Sequence, residues 1–194
     1  MDKKTRLKIG LPTIVFFTAL IFTSEGYASL LPFAAAFAHE LGHIAVMIIC
    51  GQKIERITLL PFGIDIKKRP SVTSYTTDIA VNTAGLAVNA LLILLCLQFP
   101  ESRLQNSFIE ANSFLFAVNA LPIKNLDGGQ VLEKTLCLKL DSDTAEAIMD
   151  FCSLVCLIGV GSVAIWLLMS SGYNFTLLFM CIYLFFGIFI KKDF

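Results

Sequence analysis

The chain contains only two histidines, His39 and His43, four residues apart in Ala38-His39-Glu40-Leu41-Gly42-His43. On a helix, that spacing puts side chains about 40° apart in rotation and about 6 Å apart along the axis, so two imidazoles can reach one metal ion. Glu40 adjoins the first imidazole, where a carboxylate can hold a water and take its proton. A lone H-E-x-x-H is a weak signal, and its surroundings strengthen it here. The residues around it are apolar and uncharged, and a carboxylate within a membrane-spanning helix costs about 2.5–3.5 kcal/mol on insertion scales. If these groups only hydrogen-bonded to neighbouring helices, apolar residues would serve that helix better.

The elements that position this motif follow from composition. Of 194 residues, 56% are hydrophobic and 15% charged, and mean hydropathy is +0.76. Soluble domains hold about 45–50% apolar and about 25% charged residues, so the excess apolar surface is expected to face lipid. Formal net charge is zero, which gives no reason to expect a nucleic-acid partner. Six apolar stretches are long enough, or nearly so, to span a bilayer: about 9–24, 28–50, 76–98, 107–123, 150–171 and 173–190. The first follows a basic start but lacks a small-residue cleavage site at Glu25-Gly26-Tyr27, so it reads as a retained helix.

Charge placement supports this count. Lys3, Lys4, Arg6 and Lys8 precede span one. Lys53, Arg56, Lys67, Lys68 and Arg69 follow span two. Lys124, Lys134 and Lys139 follow span four, and Lys191 and Lys192 follow span six. Only Arg103 falls on the other side, a strong positive-inside asymmetry. The expected architecture is an all-α integral membrane protein of six transmembrane helices, one domain over 1–194, with both termini cytoplasmic and the cell membrane as its location. A short membrane-associated β-hairpin is expected over about 53–68. No appended soluble domain is expected. The six cysteines lie mostly in or beside apolar runs without a CxxC and read as reduced packing residues.

A catalytic zinc takes three protein ligands and leaves a position for water. Spans two and four both run inward in this topology. That puts His39, His43 and Asp127, the last in Asn119-Ala120-Leu121-Pro122-Ile123-Lys124-Asn125-Leu126-Asp127-Gly128-Gly129, on one side at similar depth. Glu133 remains an alternative third ligand. Glu110 is expected near the opposite face, and Asp78 fits better as an acidic residue at a helix N-terminus.

Taken together, HELGH and Leu126-Asp127-Gly128-Gly129 resemble the site-2 protease family of intramembrane metalloproteases. Leu59-Leu60-Pro61-Phe62-Gly63, Gly85-Leu86-Ala87-Val88-Asn89, and Asn119 with Pro122 extend the match over about residues 30–135. The layout resembles the sporulation-type branch without the CBS domain that branch often carries. The resemblance implies one Zn2+ held by His39, His43 and Asp127, with Glu40 as general base. It also implies a transmembrane protein as substrate, cut near the cytoplasmic face. Departures occur at Leu86, where the family has proline, at Lys124-Asn125 before Leu-Asp-Gly, and at Gln130 after the glycines.

Other residues have two readings. Lys53 to Lys68 alternates around a turn at Pro61-Phe62-Gly63, so it is either a scaffold or an edge that docks an extended substrate. Asn89 and Asn119 either pair helices or bind substrate and steady an oxyanion; the resemblance favours the second. Asn82 reads as structural. Pro122 is expected to break span four. Three other readings compete: a gluzincin-type membrane protease with a glutamate ligand, a non-catalytic metal-binding or transport membrane protein, and a proteolytically dead regulator. Membrane regulatory proteins are further expected partners.

Overall fold

The computed structural model describes residues 6–9, 30–52, 54–60, 63–68, 74–172 and 175–189. Among them, the elements run β1 (Arg6–Ile9), α1 (Leu31–Ile49), β2 (Ile54–Leu60), β3 (Gly63–Lys68), α2 (Tyr75–Cys96) and α3 (Arg103–Asn119). They continue as α4 (Asp127–Cys137), α5 (Ser142–Ser171) and α6 (Thr176–Phe189). Two compact units result, Met1–Val118 and Asn119–Phe194.

In the first unit, α1 and α2 form a close helix pair. α1 opens with Pro32 in its first turn, where a missing N–H costs nothing. It stops just before Gly51, whose φ of 71° is a left-handed conformation that glycine tolerates. The pair can approach closely because the residues between the helices are small. A Cβ on Gly42 would fall 3.0 Å from the Ala84 carbonyl oxygen and 2.7 Å from Val88 Cγ2. Met47, Ile54 and Val81 form a buried apolar cluster that ties the start of β2 to both helices.

The strands form one sheet in the order β1-β2-β3. β2 and β3 pair antiparallel, with Ile57 opposite Ile66 and Leu60 opposite Gly63. β1 pairs parallel with β2, Arg6 opposite Arg56 and Ile9 opposite Leu59. This third strand departs from the sequence expectation, which put these residues in a basic tail and placed Ile9 at the start of a span. A four-residue run is too short for alternation to stand out from a charged segment. The rest of the first expected span, and the turn residues Pro61 and Phe62, lie outside the described residues.

Expected spans two and three are α1 and α2. Expected span four, 107–123, is shifted: α3 ends at Asn119, three residues before Pro122, whose ring cannot continue a helix. In the second unit, Asp127–Cys137 is a helix between the expected spans four and five. Expected span five begins earlier, at Ser142, because the Asp141 carboxylate caps it by accepting from the Thr144 N–H at 2.9 Å. α5 ends at Gly172, with φ 72°. Expected span six is the apolar helix α6. Ile123, Leu157, Leu184 and Ile188 form the buried core of this unit.

Among the described residues, three helices are long and apolar enough to cross a membrane: Leu31–Ile49, Tyr75–Cys96 and Ser142–Ser171. Phe37, Leu41 and Ile48 on α1 and Leu91, Leu94 and Leu95 on α2 are exposed. So many exposed large apolar side chains on long helices suit a lipid solvent better than water.

Candidate metal centre

α1 presents His39 and His43 to α2, both buried, at 5% and 7% exposure. Their rings stand edge to face, with centroids 4.7 Å apart. The Nε2 atoms approach to 3.1 Å. Glu40, the next residue along α1, is half-buried.

The hydrogen bonds on the far side of each ring determine where the protons sit. His43 Nδ1 is 2.8 Å from the Val81 carbonyl oxygen. A carbonyl only accepts, so the ring nitrogen must be the protonated donor. His39 Nδ1 is 2.9 Å from Oδ1 of Asn89. Asn89 is fully buried, and its Nδ2 donates to the Asn112 carbonyl at 3.3 Å. The amide oxygen therefore faces His39, and His39 Nδ1 is also a donor. The two Nε2 atoms meet at 3.1 Å, where both rings can offer a lone pair to a cation between or beside them. Metal-bound histidines characteristically donate their other N–H to a carbonyl or a similar acceptor, as both do here.

Gly85 on α2 leaves the space these rings occupy. A Cβ there would lie 2.6 Å from His39 Nε2 and 2.6 Å from His43 Nε2. This cradle and the paired lone pairs fit a divalent ion of zinc's preference for imidazole nitrogen. The Val81 carbonyl, Gly85 and Asn112 were not singled out as site residues from the sequence. A backbone carbonyl carries no sequence signal. The two glycines facing the helix pair, Gly42 and Gly85, were the available hint.

In the second unit, the run from Asn119 to Asp127 is seated on α5. The Lys124 N–H donates to Ser153 Oγ at 3.0 Å. Lys124 Nζ donates to Glu146 Oε1 at 2.8 Å and to Asp150 Oδ1 at 3.1 Å. Burial works against the charge on Lys124, but these two carboxylates outweigh it and raise its pKa above the ordinary 10.5. Asp127 opens α4 and is half-buried. Gly128 and Gly129 let α4 start tight against the preceding run, since a Cβ on either would collide with the carbonyl of Ala120 or Ile123. Asn119 is the last residue of α3 and is half-buried.

Among the other candidate acids, Glu133 accepts from Lys134 Nζ at 2.9 Å. Asp78 stands in the first turn of α2 and accepts from Gln52 Nε2 at 3.4 Å. Glu110 is exposed on α3. Gly63 is the first residue of β3. Asn82 is buried on α2, beside Val81.

No family model and no curated protein matches the sequence. Among solved structures, the chain matches the site-2 protease from Methanocaldococcus jannaschii with a TM-score of 0.55 and 22% identity. The match covers 96% of this chain and 90% of that one. This chain has the site-2 protease fold. The likeness of HELGH and Leu126-Asp127-Gly128-Gly129 to the site-2 protease pattern agrees with that match, and the site-2 protease fold spans both compact units.

Proposed function

We propose that this chain is an intramembrane zinc metalloprotease of the site-2 kind, cutting membrane-protein substrates near the cytoplasmic face. One observation carries the reading: the two histidines of H-E-x-x-H bring their Nε2 atoms to 3.1 Å while their Nδ1 atoms donate to Asn89 and Val81. The site-2 protease fold supports it. Asp127 is proposed as the third ligand on the strength of the Leu-Asp-Gly-Gly motif and its carboxylate chemistry. Bound zinc supplies a Lewis acid that lowers the pKa of a water to about 7.

The chain's own residues do the rest. Glu40 takes the proton of the attacking water and returns it to the leaving amine of the cut peptide bond, a transfer that contributes about 10²–10⁴-fold. The Val81 carbonyl holds the His43 imidazole in the tautomer that offers Nε2. Asn119 is proposed to orient the substrate or steady its oxyanion. A peptide bond inside a substrate helix is shielded, so the substrate must be extended before it is cut. β2 and β3, with the turn at Pro61-Phe62-Gly63, are proposed to lie at the membrane surface and offer an edge to that extended segment. The six-span, multi-pass arrangement with both termini cytoplasmic is part of the same proposal, as are membrane regulatory partners.

The test is co-expression with single-span substrates, with the cut mapped by mass spectrometry. Wild type is expected to cut within or beside the span, and Glu40→Gln to lose the cut while keeping its zinc. Cleavage by Glu40→Gln at the wild-type rate would overturn the assignment.

A further inference from the structure

We infer that Asn89 is a positioning residue for His39, fixing the ring as the Nδ1-protonated tautomer so that its Nε2 lone pair points to the metal. The inference rests on the metalloprotease reading above. It starts from the orientation of one amide. Asn89 has no exposed surface and lies on α2, between α1 and α3. Its Nδ2 donates to the Asn112 main-chain carbonyl, and its Oδ1 accepts from His39 Nδ1. Turning the amide over would place an oxygen against a carbonyl and an N–H against the ring, so the Asn112 carbonyl determines which atom His39 meets. The sequence Asn112 carbonyl, Asn89 amide, His39 ring is a relay that ends in a chosen tautomer.

His43 reaches the same state without a side chain, because its acceptor is the Val81 carbonyl. The two ligands are thus controlled differently, one by a replaceable residue and one by the backbone of α2. Both polar atoms of Asn89 are occupied in this relay. The effect assigned to Asn89 on the reaction passes through His39, whereas an oxyanion partner, using the second Nδ2 hydrogen, would act on the substrate and leave metal affinity untouched.

Because the chain has two histidines, the test is direct. The full chain is labelled with [15N]histidine, and the ring nitrogens are read by NMR without zinc; zinc affinity is then measured by chelator competition. Wild type is expected to show both rings protonated at Nδ1. In Asn89→Leu, His39 is expected to lose that single tautomer while His43 keeps it, and zinc affinity to fall about 10–100-fold. Asn89→Asp still accepts from Nδ1–H through one oxygen but sets its other oxygen against the Asn112 carbonyl, so it is expected to keep the His39 signature, with an affinity between those of Asn89→Leu and wild type. The proposal is overturned if Asn89→Leu keeps both the His39 tautomer and the affinity, or if it loses cleavage with affinity unchanged. If Asn89→Leu cannot be recovered folded, Asn89→Asp decides: loss of the His39 Nδ1 proton overturns the relay, and its retention supports it. A wild type that binds no zinc contradicts the metalloprotease reading instead, and the tautomer comparison still decides the relay.

Discussion

The α1–α2 pair and the run from Asn119 to Asp127 each carry proposed ligands, and they hold them by different physics. His39 and His43 sit on a helix packed against another through Gly42, Ala84 and Gly85, and each ring nitrogen Nδ1 is tied to an acceptor on α2. Positions there are set by close packing and short neutral hydrogen bonds, which tolerate almost no added volume. Asp127 follows a non-helical run anchored by a lysine between two carboxylates and by one hydrogen bond to Ser153. Charge holds that run, in partial contact with solvent. The first region is therefore expected to fail through volume, the second through charge and pH.

The largest expected effect tests the packed region. Gly85→Ala puts a methyl 2.6 Å from both Nε2 atoms, so the rings or the helices must move. Zinc content is expected to fall to background, and stability by about 1–3 kcal/mol, the usual cost of overpacking. Wild-type zinc content in this variant would show that the cradle is looser than the distances imply.

Next comes the charged region. Lys124→Met leaves Glu146 and Asp150 without their shared cation. A loss of about 1 kcal/mol is expected, at the upper end of the range for exposed pairs because Lys124 is partly buried. Thermal melting in detergent measures it. If Gly85→Ala and Lys124→Met lowered zinc affinity equally, the contrast between the regions would collapse.

The legibility of these regions in the sequence differs for the same reasons. His39, Glu40 and His43 stood out because polar groups in an apolar stretch are costly. Asp127 stands out because spans two and four run inward and bring it to the depth of the histidines, and because Leu126-Asp127-Gly128-Gly129 resembles the family motif. The helix Asp127–Cys137 was missed, although an acid in its first turn and Lys134 in its last were readable signals; its brevity hid it among polar residues. Arg6–Ile9 was missed because strand pairing is a long-range property, fixed by Arg56–Leu59 some fifty positions away. Asn89 was legible as a buried amide, but not its partner: the Asn112 carbonyl exists at every position of any chain, and only the fold brings that one within reach.

The smallest expected effect is a pH dependence confined to the charged region. The pKa of Lys124 is raised above 10.5, so its stabilising contribution is complete below that value and is lost as pH rises through the higher folded-state value. Between pH 7 and 9, the melting-temperature advantage of wild type over Lys124→Met is expected to stay constant. Above about 10.5, wild type is expected to lose the advantage it holds over Lys124→Met. A difference that persists unchanged above about pH 10.5 would show that the lysine acts by packing alone.

The most direct measurement of the central claim is zinc per chain in purified protein, compared across wild type, Glu40→Gln, Asp127→Ala and Glu133→Ala. One ion is expected in wild type, Glu40→Gln and Glu133→Ala, and loss of most of it in Asp127→Ala. Zinc retained by Asp127→Ala but lost by Glu133→Ala, or no zinc in wild type, would contradict it.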